Sequence, residues 1–501
     1  MTQTAQSQSD RLIEPLSEEL SRWIQRKSAM FTSDTLKFNK KVYEQLAVFS
    51  VEFGHDIHND LGIWKSYEKL NKEIFGTSLP IHDDLYETDT DNPFDVARVQ
   101  HFLWKIVGEL IPNILISPSH ADLESLAETI ANFLSDKFKR VAKDSARIDF
   151  LNREMPEAGD AKRKLIWLGT ESYFFRLSFF EFIHKNKLEE NVDAVDDFIC
   201  QKTTHWSGLN PVDMLSEIMA LPVGFKKDLL NWKERVQGMF KVLQIEADHL
   251  VIVNLFNQTE YKVSTPEAFK YFGKTKTIHG WIIPWNGQWF WSGQQRTYKD
   301  FSEDELNEFV ATFLLRNPTI DYQFDAEKLE KAKVALMTIY DESLDFFKSD
   351  LGCFANGTEM AEQLKAKDMA VRAKKDAEAK TEAPEYAFPD YIKNYENGIG
   401  YFLNQNEGIE LFLGYNDLIS GLQKEGEPLN EDEAESFFHF ITGANISPEF
   451  VKRVLKDFPA TAILELFFLD ELEPDQALPY LFRCYKGDYF QKRYPNITLT
   501  E

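Results

Sequence analysis

Between Met239 and Gln295 the chain carries its one long run of β-type sequence, and the segment Trp281-Ile-Ile-Pro-Trp-Asn-Gly-Gln-Trp-Phe-Trp291 within it allows few conformations. Asn286-Gly287 between two aromatic runs predicts a type I′ turn, because both central residues need positive φ and these two tolerate it best. A two-residue loop pairs Trp285 with Gln288, Pro284 with Trp289, Ile283 with Phe290 and Ile282 with Trp291. Closing pairs exchange hydrogen bonds, so Pro284 falls at a non-hydrogen-bonded site, where its missing N–H costs the ladder nothing. Alternation then places Trp281, Ile283, Trp285 and Phe290 on one face and Ile282, Pro284, Trp289 and Trp291 on the other. Both faces are apolar. One is expected to pack on a core, the other to meet helices, a partner or a ligand.

Upstream, Leu250–Phe256 and Glu260–Val263 flank Asn257-Gln-Thr259 as a second hairpin, and Ser264-Thr-Pro-Glu267 starts a short helix through Phe272. Four or five short strands therefore make a small antiparallel sheet or barrel, spanning about residues 240–297.

Around this module the pattern is helical. Apolar spacings of three and four run from Leu12 to about Asn231, punctuated by Pro80, Asn92-Pro93, Pro112, Ser117-Pro118 and Pro156. Ala161–Lys187 is apolar nearly all round, as one central buried helix would be, with Arg176 and Glu181 needing partners inside it. Cys200–Gly208 reads as a loop, Pro211–Met219 and Lys226–Phe240 as helices, and Asp83–Asp91 as an acidic loop. The expected organisation is a disordered tail at 1–10, a helical domain at 11–238, the β module at 239–300 and a helical extension at 301–360. A charged helix and linker at 361–385, ending at Glu382-Ala-Pro-Glu385, then leads to a helical C-terminal domain at 386–501. Within that last domain Asn397–Phe402 reads as a strand and Gly408–Gln423 as a helix. The fold class is α+β and predominantly α-helical: a helical N-terminal region packed around the β module, with a linked helical C-terminal domain.

Composition narrows function by exclusion. The 501 residues carry 56 Lys+Arg against 82 Asp+Glu, a net charge of −26. So acidic a surface repels phosphate backbones and anionic membranes, which argues against general nucleic-acid binding. Three cysteines far apart form neither a disulfide framework nor a CxxC site. The polar N-terminus lacks a signal-peptide pattern, and no run of eighteen apolar residues exists, so a soluble cytoplasmic protein without a membrane span is expected.

Two pairs have E-x-x-H spacing on expected helices: Glu52 with His55, and Glu181 with His184. Residues three apart on a helix project together, and two such pairs with further carboxylates, here Glu124 or Glu128, make the di-metal site of ferritin-like bundles. Glu246 and His249 share the spacing inside the β region, a chance match that weakens the other two. His55-Asp-Ile-His-Asn-Asp60 is the densest polar cluster, and His55, Asp56, His58 and Asp60 suit zinc or acid–base chemistry; Gly54 beside them reads as a helix break. Cys200 and His205 invite a thiol-nucleophile reading, against the default of a buried free cysteine. Glycine-rich phosphate loops are absent, and the sequence names no cofactor.

Two functions are therefore expected in competition. The first is a binding or scaffolding protein that recognises a protein partner through the aromatic hairpin, with Trp281, Trp285, Trp289 and Trp291 as contacts. The second is a metal-dependent enzyme, a di-metal carboxylate/histidine site being one form, built on Glu52, His55, His58, Glu181 and His184. Against the first stands the structural use of the same indoles, since each buries a large apolar area in a core.

Overall fold

A computed structural model describes residues 8–31, 33–81, 93–112, 114–274, 276–298, 301–375, 388–424 and 427–499 of the chain. The first seven residues of the expected tail, the acidic loop Asp83–Asp91 and the linker Glu382–Glu385 lie outside the described residues; residues 8–10 begin the first helix. The architecture is α+β and predominantly helical. It forms two compact units: one of Met1–Val253, Glu260–Tyr298 and Phe467–Gln476, the other of Asn254–Thr259, Lys299–Leu466 and Ala477–Glu501.

The first unit opens with α1 (Gln8–Ser28), α2 (Lys40–Asn59), α3 (Ile63–Phe75), α4 (Val96–Leu110), α5 (Ala121–Phe138) and α6 (Ser145–Asn152). Their apolar stripes, such as Leu46, Phe49 and Phe53 on α2 and Val99, Phe102 and Leu103 on α4, meet in one core. Gly54 is not a helix break. It lies inside α2, where a Cβ would come 2.6 Å from Phe138 and 2.9 Å from Leu134, so its bare backbone lets α2 close on α5.

Ala161–Lys187 is not one buried helix. After α7 (Ala158–Ile166) the chain makes a π-helical turn, Trp167–Glu171, and restarts as α8 (Arg176–Lys185). Between them Tyr173, Phe174 and Phe175 are all buried. Three consecutive aromatic side chains cannot all point into a core from a regular helix, and the backbone leaves the helix to bury them. The unit's helical part ends with α9 (Val192–Gln201), α10 (Pro211–Ile218) and α11 (Val223–Leu230). Cys200 therefore sits in the last turn of α9 rather than in a loop, and the helix expected over Lys226–Phe240 stops at Leu230.

A 3-10 turn, Asn231–Glu234, hands the chain to β1 (Val236–Ile245), followed by β2 (His249–Asn254), β3 (Thr259–Ser264), α12 (Ala268–Phe272), β4 (Thr277–Trp285) and β5 (Gln288–Tyr298). The strands close into a barrel in the order β1-β2-β3-β5-β4. β4 is antiparallel to both β1 and β5, whereas β3 meets β5 in parallel at Val263↔Trp289 and Ser264↔Phe290. That parallel pair departs from the all-antiparallel module expected. A parallel partner needs a crossover, and the segment through α12 and β4 supplies it. The result is a five-stranded Greek-key barrel with the strand order of the OB-fold.

The aromatic hairpin has the register its turn dictates: Trp285↔Gln288, Pro284↔Trp289, Ile283↔Phe290 and Ile282↔Trp291. Asn286 and Gly287 have φ of 51° and 73°. The two faces bury into different cores. Ile283 and Trp285 belong to the helical core with Phe290 packed against it, while Ile282 lies in the barrel core with Trp289 and Trp291 packed against that. The hairpin is thus the wall the two cores share. Substituting Gly287→Val should cost about 1–2 kcal/mol of unfolding free energy, because a side chain at left-handed φ clashes with its own carbonyl. Denaturant unfolding would check this, and an unchanged midpoint would contradict a type I′ turn.

The second unit contains α13 (Glu303–Arg316), α14 (Pro318–Phe324), α15 (Ala326–Phe347), β6 (Leu351–Phe354), α16 (Gly357–Lys375), α17 (Asp390–Lys393), β7 (Ile399–Asn404) and β8 (Gly408–Leu413). Five further helices lie between Tyr415 and Tyr485. The sheet order is β6-β7-β8. Because β6 pairs with β7, the stretches before and after residues 361–385 are one unit, not an extension and a separate domain. Gly408–Leu413, expected as the start of a helix, is β8. Its Ile409, Leu411 and Leu413 alternate and pack on the sheet's core, and the helix begins only at Tyr415.

Candidate ligand site

Three residues, Asp60 to Gly62, turn α2 into α3. Asp60 and Gly62 are both left-handed, at φ of 53° and 90°, which makes the corner tight. The last turns of α2 present Glu52, His55 and Asp56 at spacings of three and four, hence on one side of the helix. Asp56 lies inside the corner. Its carboxylate accepts from the backbone N–H of Ile63 (3.1 Å) and Trp64 (2.8 Å), capping α3 from a distance, and from the Tyr173 hydroxyl (2.8 Å). Burial outweighs these bonds and lifts the Asp56 carboxyl to about 6. Burial, with Asp56 alongside, holds the Tyr173 phenol well above its ordinary range, so Tyr173 remains the donor.

These groups line a cavity of about 320 Å³ in the first unit. Glu52, on one wall, is held by Arg176 through two bonds of 3.0 and 2.7 Å, and the same guanidinium lies 4.7 Å over Phe49. The carbonyl of Glu171, at the end of the π-helical turn, accepts a further bond from Arg176 at 3.0 Å. Arg147 also lines the cavity, its guanidinium 4.8 Å over the indole of Trp167. Such π-helical insertions recur where side chains must be aimed at a site. Here the turn brings Trp167, Thr170 and Glu171 to the cavity.

His55 is 6% exposed and lines the cavity. Its Nε2 lies 3.3 Å from Asp144 Oδ2, yet the two are misaligned and neither atom completes a hydrogen bond. Burial lowers the imidazole pKa against the opposing pull of Asp144, so the ring is neutral near pH 7. Buried polar atoms left in this condition call for an explanation, a ligand or bound water among them.

The other residues singled out by sequence fall elsewhere. His58 does not line the cavity; its Nε2 lies 3.0 Å from the Val141 carbonyl, and burial lowers its pKa. Glu181 is 3.6 Å from His205, which holds its carboxyl below the ordinary range, and His184 is exposed in the last turn of α8. Among the described residues neither of these two E-x-x-H pairs belongs to a group of three acids and imidazoles close enough to share an ion. Among the described residues the one group of three acids and imidazoles close enough to share an ion is Glu246, Asp248 and His249, at the β1–β2 turn. Lys262 pairs with Glu246 at 2.8 Å, and His249 Nδ1 lies 2.8 Å from Asp248. Cys200 is buried, and burial pushes its thiol up to about 12, far from a nucleophile's range.

None of the four hairpin indoles is exposed. Trp285 is fully buried and donates to the Met155 carbonyl at 2.9 Å. Trp291 donates to Thr265 Oγ1 at 3.1 Å, Trp289 meets Tyr261 edge-on at 4.9 Å, and Trp281 lies under the Arg235 guanidinium at 5.4 Å. Of the cavity's polar residues, sequence reading marked Glu52, His55, Asp56 and, as a charge needing a partner, Arg176. Arg147 and Trp167 carry no local signal, since their role comes from α6 and the π-helical turn meeting in space.

A family described as a protein of unknown function (DUF3843) matches residues 28–221, a span that includes every cavity residue named here. No curated protein and no solved structure matches the chain.

Proposed function

We propose that this chain is a binding protein whose helical part captures a small molecule in the cavity between α2, α6 and the π-helical turn. The observation that carries the reading is a cavity of about 320 Å³ that gathers Glu52, His55, Asp56, Arg147 and Arg176 beside the apolar Leu61 and Ile63. Convergent polar groups on a partly apolar wall are the arrangement of a small-molecule site. The hairpin indoles support recognition less than expected, because Trp285, Trp289 and Trp291 are engaged by two cores and Trp281 lies under Arg235. The barrel shares an architecture with nucleic-acid modules, but fold alone does not carry function, and a net charge of −26 disfavours a phosphate backbone.

An enzymatic reading keeps one point of support. His55 and Asp56 face one cavity, and their environments push the imidazole down and the carboxyl up toward neutrality, the condition for an acid–base pair. The di-metal version has less, since Glu52 is engaged by Arg176 and lies apart from Glu181 and His184 as a ligand set.

A thermal-shift screen of small polar compounds, run on the full chain and on Thr170→Phe, tests the binding role. At a hundredfold excess over Kd a true ligand should raise the melting temperature by roughly 5 °C or more, and the bulky residue on the cavity wall should abolish the shift. Hits that stabilise both proteins equally would place binding elsewhere and defeat the proposal.

A further inference from the structure

The charges around the cavity are unevenly matched. Glu52 is neutralised by Arg176 through a two-pronged pair. Asp56 has three donors on it, and Glu171 is exposed to solvent. Arg147 differs from all of these. Its half-buried guanidinium is stacked on Trp167 at 4.8 Å and Phe150 at 5.8 Å, and no carboxylate among the described residues pairs with it. In a chain with 82 acidic side chains against 56 basic ones, a guanidinium lying 4.8 Å over an indole and left without an anion among the described residues is an incomplete recognition element. The contact with the indole restrains the guanidinium, and its side-chain N–H fork, which has no hydrogen-bond partner among the described residues, suits a two-oxygen acceptor. Leu61 and Ile63 supply apolar wall in the same cavity, and the neutral His55 adds one further polar contact.

We propose that the cavity takes a small organic anion, a carboxylate or phosphate monoester, whose oxygens meet the Arg147 fork while its carbon part lies against Leu61 and Ile63. This rests on the cavity being a ligand site.

Titrating benzoate, phenyl phosphate, benzamide and benzylamine onto the full chain, onto Arg147→Gln and onto Arg147→Lys tests it, with ligand-observed NMR as the readout. At least one anion should bind about tenfold more tightly than benzamide, a charge-assisted pair being worth that much, and Arg147→Gln should erase the preference. Arg147→Lys should keep part of it. Benzoate ahead of phenyl phosphate would identify a carboxylate ligand, and the reverse order a phosphate monoester. Added salt should weaken the anions and leave benzamide unchanged, a readout that survives even if Arg147→Gln folds poorly. Benzamide or benzylamine binding as well as the anions, or a preference that persists in Arg147→Gln, would overturn the anion assignment and leave the ligand site standing. Failure of all four to bind would overturn both.

Discussion

Replacing Trp285 with alanine should destabilise the first unit by about 3–5 kcal/mol, the range for removing a large aromatic side chain from a closed core. The indole is fully buried, with ring contacts of 5.1 Å to Phe225 and 5.7 Å to Trp232. Its loss leaves a void that surrounding helices can only partly close, and it strands the Met155 carbonyl, which accepts from the indole N–H. Trp281→Ala should cost clearly less, since that ring is half-buried and its main polar neighbour is a stacked guanidinium. Urea unfolding of both variants would check the order. A Trp285→Ala loss below about 1 kcal/mol would show that the hairpin is not the shared wall described here.

The second large effect is on pH dependence. Asp56 is easier to protonate in the folded chain, at about 6, than at its ordinary 3.8. The folded state therefore binds the extra proton between those values. The stability this supplies is complete below about pH 4, declines as pH rises, and is gone above the folded pKa; a shift of this size corresponds to about 3 kcal/mol. Other carboxylates titrate in the opposite sense, so the quantity to measure is the difference in unfolding free energy between the native chain and Asp56→Asn. That difference should fall by about 3 kcal/mol in the native chain's disfavour from pH 4 to pH 7. A flat difference would mean that the corner between α2 and α3 stays open to water.

How much of this was legible in the residues depends on distance along the chain. The aromatic hairpin could be read to the level of individual pairs, because the turn, the position of Pro284 and the alternation of side chains are local and agree with one another. The parallel meeting of β3 and β5 could not, since nothing in either strand marks a partner reached only after a crossover. Gly408–Leu413 is not legible as a strand because four apolar residues around Glu410 fit the spacing of a strand and of a helix turn equally well. Ala161–Lys187 departs from the single helix expected of it for a related reason: a segment apolar nearly all round carries no periodicity to say where its helix stops. For the cavity, Glu52, His55 and Asp56 stand together in sequence and stand together in space. Arg147, Trp167 and Tyr173 join them only through folding. Glu181 and His184 matched a ligand spacing, but α8 contributes Arg176 to the cavity instead, because that residue sits at the helix start where the chain leaves Tyr173.

Closing five strands into a ring has a consequence for how the barrel can be recognised. A ring has no outermost strand, but β3 and β5 close this one over two residue pairs, Val263↔Trp289 and Ser264↔Phe290, so beyond Phe290 the described strand pairs of β5 are with β4 alone. Around most of the barrel another molecule can read only side chains and the tips of the turns. Annealing of an extended peptide is confined to the far end of β5, the one stretch among the described strands that the seam leaves half-paired.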